Sequence, residues 1–441
     1  MTGSIGVDLQ RSRAAVCLTE WANGRARQGP VGDGSRILVP VAATETAWGS
    51  PAAEAVLAAQ PAGRPPASLL YAWRQDPWGG PFLTGLHRRL LGFLGQVQPE
   101  GFRSHRLFVC ADPESAADWA AADELLNQAG LPGTELVRPA DALVCRWLSQ
   151  TPEPPSGTVL AVACGEVATI IGRYSVSGAG AVRVGRAGET RVEGGSGPWV
   201  IEMARDALGH CRPGFPARAL LGLLDGVDEF AAMVRTSRDD TWVEWAGPLS
   251  QHMFEPLRAS RPELARRATV TDFTRPVASA VHAALRQAGR RVTLLVGGPG
   301  AAWPFVADAL AGIGTVWQSG DPTLDLAYGA CWWDVYQRGF ERGGPEARPA
   351  WDSEPAGAGQ DVPPEFSPEV APPAVSGPAA PGPVTAGPFP ESAEEQADEQ
   401  DADLPWEKAP GPAGTAAPED LPAAPADEEF AADDESYPWE L

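Results

Sequence analysis

The hydrophobic pattern of this 441-residue chain stops near Gly344, and that break limits what can fold. Before it, apolar residues recur at strand and helix spacings. After it, Pro, Ala, Gly, Glu and Asp dominate and apolar residues stand alone. Such a segment cannot bury enough surface to offset its ordering entropy, so 344–441 is expected to be a disordered acidic Pro/Ala-rich tail. Charge divides at the same place. From Glu341 to Leu441 there are 24 Asp and Glu against three bases, whereas the first 340 residues hold 33 acids and 31 bases. The tail therefore carries −21 of the net charge of −23. The near-neutral remainder has no basic stripe of the kind that marks a nucleic-acid surface.

Within the first 343 residues the pattern starts twice. Residues 4–10 and 14–18 read as strands around the polar turn Arg11-Ser12-Arg13, and 158–165 with 168–176 reads as a second such hairpin. Further strands are expected at 36–41, 107–110, 135–139, 181–184 and 292–296. Helical spacing runs through 81–93, 112–129, a stretch ending at Trp147, and about 198–210, 216–223 and 271–288. The stretch 151–157, with three prolines and a glycine, interrupts the pattern. Strand-hairpin units alternating with helices predict an α/β chain of two related lobes, 1–155 and 156–343.

Five segments, in order, resemble the Hsp70 branch of the actin-like ATPases. Ile5-Gly6-Val7-Asp8-Leu9 resembles the first phosphate loop, G-I-D-L-G-T-T. The strand at 36–41 and Trp48-Gly49-Ser50-Pro51-Ala52-Ala53 resemble "P-S-x-V" and "G-x-x-A". Ala129-Gly130-Leu131 and Arg138-Pro139-Ala140-Asp141-Ala142 resemble "A-G-L … N-E-P-T-A-A". Ala187-Gly188-Glu189-Thr190-Arg191 with Gly194-Gly195 resembles "A-G-D-T-x-L-G-G". Leu295-Val296-Gly297-Gly298 and 321–330 resemble "L-V-G-G" and "D-P-D-E-A-V-A-x-G-A". The resemblance implies a two-lobed fold with Mg-ATP or ADP between the lobes. Asp8, Ser12, Gly165, Gly195, Gly297 and Gly298 are then the nucleotide-binding positions, with backbone N–H groups of the two loops facing the phosphates. The final helix is expected to return to the first lobe.

The same comparison shows what the site has lost. The first loop's glycine and threonine are replaced by Gln10 and Arg11. Aligned on Gly165, D-L-G-G-G-T becomes Ala163-Cys164-Gly165-Glu166-Val167-Ala168, which removes a carboxylate and places Glu166 where triphosphate would sit. Two like charges ~4 Å apart at an effective dielectric of ~20 repel by about 4 kcal/mol. Arg138 replaces the glutamate of the E-P turn, and no arginine follows Gly297-Gly298 to stack on adenine. The only lysine is Lys408, in the tail, so the family's catalytic lysine has no counterpart; Arg74 is the candidate replacement by charge. Phosphoryl transfer depends on positioned charge around a metal. No catalytic residue and no metal ligand is assigned.

The tail repeats Pro405-Trp406-Glu407 as Pro438-Trp439-Glu440. Tryptophan supplies hot-spot burial and proline lowers ordering cost, so these segments are expected to bind a protein partner. The six cysteines include no C-x-x-C pair, consistent with buried thiols in a reducing compartment. The opening Met1-Thr2-Gly3-Ser4 carries no signal-like region and no apolar run reaches membrane-helix length. The expected protein is cytoplasmic, binding neither nucleic acid nor membrane. It reads as an Hsp70-like adaptor, a pseudo-ATPase with weak or absent nucleotide binding. The alternatives are a divergent ATP-hydrolysing Hsp70-like chaperone and an actin-like cytoskeletal or division protein.

Overall fold

A computed structural model describes residues 3–340 except 23–24, 34–35, 62–63, 98–104, 112–115, 152, 178–181, 239–240 and 287–291. The tail, with Pro405, Trp406, Glu407, Pro438, Trp439 and Glu440, lies outside the described residues.

The first half supplies β1 (Gly3–Leu9), β2 (Arg13–Ala22), β3 (Arg25–Pro30) and β4 (Leu38–Pro40), then α1 (Ser50–Ala58) and α2 (Gly80–Val97). β5 (His105–Cys110), α3 (Ala116–Gln128), β6 (Glu135–Val137) and α4 (Pro139–Gln150) follow. The sheet order is β3-β2-β1-β5-β6, with β4 beside β2. The second half begins with β7 (Gly157–Cys164), β8 (Ala168–Ser177) and β9 (Arg183–Glu193), and continues through α5 (Gly197–Gly209) and α6 (Leu220–Thr236). A small ribbon of β10 (Trp242–Trp245) and β11 (Leu257–Ser260) precedes α7 (Arg261–Ala265) and α8 (Ala268–Leu285). The chain then runs through β12 (Val292–Gly297), α9 (Phe305–Leu310), β13 (Thr315–Trp317) and α10 (Asp325–Tyr336). This sheet reads β13-β12-β7-β8-β9.

The two sheets are built alike. Each starts as a three-stranded antiparallel meander, β1-β2-β3 or β7-β8-β9, and adds two strands parallel to its first. β1 is buried along its whole length although Ile5, Val7 and Leu9 alternate with Ser4, Gly6 and Asp8, because both faces of the strand are covered. α10 packs against β1, β2 and β5, α4 packs against β7, β8 and β12, and the two helices pack on each other. Two glycines permit this. A Cβ on Gly329 would lie 1.8 Å from the Ala142 carbonyl oxygen, and one on Gly6 would lie 2.0 Å from that of Ala327.

Several boundaries differ from expectation. The strand anticipated at 36–41 shortens to Leu38–Pro40, and the helix at 216–223 becomes a 3₁₀ turn leading into the longer α6. β3, β10, β11 and α7 were not anticipated, because segments this short and polar carry no clear period. The halves also share one hydrophobic core. Ala52, Leu57, Leu69 and Trp73 from the first pack in a single cluster with Trp199, Phe230 and Trp245 from the second. No helix among the described residues is long and apolar enough to cross a membrane.

Candidate functional site

The turns after β1 and β7 are tight. The Gln10 N–H donates to the Arg13 carbonyl at 3.1 Å, and that of Gly165 to the Ala168 carbonyl at 2.9 Å. The two turns face each other, and Glu166 crosses the gap. Its Oε2 accepts the Ser12 backbone N–H at 2.7 Å and its Oε1 accepts the Ser12 hydroxyl at 2.6 Å. Arg13 Nε lies 3.4 Å from the same Oε1. Gln10 returns the contact: its Oε1 accepts the Glu166 N–H at 3.1 Å, while its Nε2 donates to Asp8 Oδ1 at 2.7 Å. A carboxylate of the protein thus occupies the donors that the first turn would offer an anion.

Further ion pairs join the halves beside this contact. Arg13 also binds Asp228 on α6, and Arg36 Nε donates to Asp225 on the same helix at 2.6 Å. Arg146 on α4 approaches Asp325 at the start of α10, 3.3 Å apart. Asp8 is 1% exposed. Burial pushes its carboxyl up to about 7, with the Gln10 hydrogen bond opposing and the Glu166 charge reinforcing the shift. Asp228 and Asp225 are raised chiefly by burial and held down by Arg13 and Arg36 respectively. Asp325 rises to about 6 for the same first reason.

Of the six anticipated nucleotide positions, Asp8, Ser12, Gly165 and Gly195 come together around Glu166. Gly195 is pressed against the second turn: a Cβ there would lie 2.4 Å from the Glu166 carbonyl carbon. The next two N–H groups donate inward, Ser196 to the Gly165 carbonyl at 3.0 Å and Gly197 to that of Glu166 at 2.9 Å. Gly297 and Gly298 end β12, where the close approach is to the protein itself. A Cβ on Gly298, at φ +91°, would stand 2.7 Å from the Cys164 carbonyl oxygen, and one on Gly297 2.5 Å from Leu143 Cδ1. Arg74 is exposed, its pKa lowered by burial and then by the charge of Arg11. Arg138 pairs with Glu189 at 3.1 Å.

Sequence reasoning missed Arg13, Arg36, Asp225 and Asp228. Arg13 and Asp228 are 215 positions apart, and nothing local to either announces the pairing. Three cavities flank the contact. One of about 30 Å³ lies among Ser12, Arg13, Tyr71, Trp73 and Asp228. A larger one of about 550 Å³ is walled by Arg36, Asp225, Asp228, Glu229, Arg235 and Asp321. The third, about 280 Å³, borders both turns. Among the described residues, no group of His, Cys, Asp and Glu could hold a metal ion.

An anion at the first turn would have to displace Glu166 from Ser12 and Arg13. No protein-family model matches the chain, and no curated protein matches it in sequence.

Proposed function

We propose that this chain is a nucleotide-independent adaptor on an actin-like, Hsp70-type scaffold, with its lobes held together by its own side chains. The observation carrying this reading is the Glu166 carboxylate on the Ser12 N–H and hydroxyl, with Arg13 beside it. A relative that cycles nucleotide needs those donors free. Here they are satisfied, and the shared core around Trp73 and Trp199 adds a second link between the halves. The fold assignment is supported by the common strand order of the two sheets and by α4 and α10 packed between them. With the cleft so occupied, partner recruitment falls to the acidic tail and its two Pro-Trp-Glu segments. Arginine- or lysine-rich surfaces are the complementary partner chemistry.

Calorimetry of the full chain with Mg-ATP, paired with a pull-down, tests the reading. No binding and no turnover are expected, together with a protein captured by residues 432–441 and lost on Trp439→Ala. Low-micromolar ATP binding with steady hydrolysis would instead support the divergent-chaperone alternative.

A further inference from the structure

We propose that the cavity of about 280 Å³ bordering the two turns is a binding site for a small organic anion, a carboxylate or phosphate monoester on a flat apolar body. Its floor and rim come from both hairpin turns and from Pro77, Trp78 and Pro139. Its volume, about 280 Å³, stands at the lower end of the ~300–1,000 Å³ typical of small-molecule pockets and suits one ring with one anionic group.

The charge preference comes from three features. Arg11 borders the cavity, is exposed, and forms no ion pair among the described residues. Arg74 is likewise without an ion pair there, and lies close enough to Arg11 for each to feel the other's charge. Two like charges brought together are relieved by a bound anion, and Glu166, the opposite charge that Arg74 also feels, is already held by Ser12 and Arg13. Pro139 opens the 12-residue α4, so the positive end of that helix also borders the cavity. Arg191 stands in the wall, already paired with Glu193.

Opposing charge is limited. Asp76 is the one carboxylate in the lining, and it accepts the Trp78 backbone N–H at 3.1 Å. Glu166 is turned the other way, onto Ser12 and Arg13. The apolar half of the preference comes from Trp78, Pro77 and Val167, the last 43% exposed at the cavity wall. An indole face and a proline ring suit a flat ligand body, while inorganic phosphate would leave them uncovered. The site lies outside the Glu166 contact and does not depend on the adaptor reading.

The test is calorimetric titration of the full chain with phenyl phosphate, benzoate and inorganic phosphate. We expect phenyl phosphate or benzoate to bind with Kd below ~1 mM, about −4 kcal/mol, and inorganic phosphate at least tenfold more weakly. The tighter of the two organic probes identifies the anionic group. Arg11→Gln and Trp78→Ala should each weaken that probe at least about fivefold, while Arg235→Gln, lining the acidic cavity, leaves it unchanged. Arg11 is exposed, so its variant keeps the fold, and a matching thermal melt checks this. Failure of both organic probes to bind, or equal binding by Arg11→Gln, overturns the proposal. So does inorganic phosphate binding as tightly as either organic probe. Mg-ATP calorimetry reads the Glu166 contact separately, so the two readings fail on different results.

Discussion

Replacing Glu166 by glutamine keeps the size of the side chain and removes its charge. In the native protein the carboxylate accepts two short hydrogen bonds from Ser12, at 2.7 and 2.6 Å, and lies 3.4 Å from Arg13. Hydrogen bonds to a charged group contribute roughly 1.5–3 kcal/mol each. A glutamine oxygen still accepts one of them, as a neutral bond worth about 1 kcal/mol. Its amide nitrogen cannot accept the other. Arg13 loses one of two counterions but keeps Asp228, so the loss stops short of the roughly 3–5 kcal/mol for a stranded buried charge. The net cost is about 2–3 kcal/mol, and at ~2.1 cal/mol/K of unfolding entropy per residue a domain of roughly 340 residues loses about 1.4 °C of melting temperature per kcal/mol. Thermal melts of the full chain should therefore show Glu166→Gln melting roughly 3–4 °C below the parent protein. Glu189→Gln is the control. Its partner Arg138 is half exposed at 3.1 Å, and such a pair contributes less than about 1 kcal/mol. In the Glu166→Ala variant the freed Ser12 donors and Arg13 become an anion site, so sulfate should raise its melting temperature more than the parent's. A Glu166→Gln protein melting with the parent, or no lower than the Glu189→Gln control, would refute the claim that this contact joins the halves.

Asp8 gives a pH dependence of definite sign. Its native carboxyl sits near 7 against an ordinary 3.8, so between those values the folded protein retains a proton that the unfolded chain has lost. Stability contributed by this group therefore falls as pH rises from about 4 to 7, then levels off. Urea unfolding at pH 5 and pH 8 should show a smaller loss for Asp8→Asn than for the parent. A residual slope is expected from Asp325, near 6, and identical slopes in both proteins would defeat the assignment. Gly329→Ala places a methyl 1.8 Å from the Ala142 carbonyl oxygen, forcing α4 and α10 apart. A loss of about 3 kcal/mol is expected from such overpacking. Gly320→Ala, where nothing lies within 4 Å of the added Cβ, should leave the urea midpoint in place. Equal midpoints for the two variants would contradict the close helix contact.

Local pattern carried much of the architecture. The hairpins at β1–β2 and β7–β8, the parallel strands β5 and β12, and the helices α2, α4 and α8 all announce themselves through apolar spacing or runs bounded by turns. Where the period was short or absent, pairing decided: Arg25–Pro30 forms a strand on the edge of β2, and Trp242–Trp245 forms one with Leu257–Ser260 in a ribbon of their own. That is a property of the neighbouring strand and cannot be read from the segment itself.

The cleft shows the same division more sharply. Sequence alone determined that Glu166 stands beside Gly165, and the resemblance read the second turn as lacking a carboxylate and two glycines of the Hsp70 pattern. It read Glu166 as a repulsive charge and the Gly-Gly pairs as room for a ligand. Tertiary structure gave Glu166 partners 154 positions away at Ser12 and turned Gly195, Gly297 and Gly298 against the protein's own backbone and side chains. It also packed residues of both halves into one hydrophobic cluster and raised the Asp8 pKa by enclosing it. Strand and helix periods are local, so a sequence displays them. Counterion choice, desolvation and close backbone approach depend on which distant segments meet, and only the folded chain decides that.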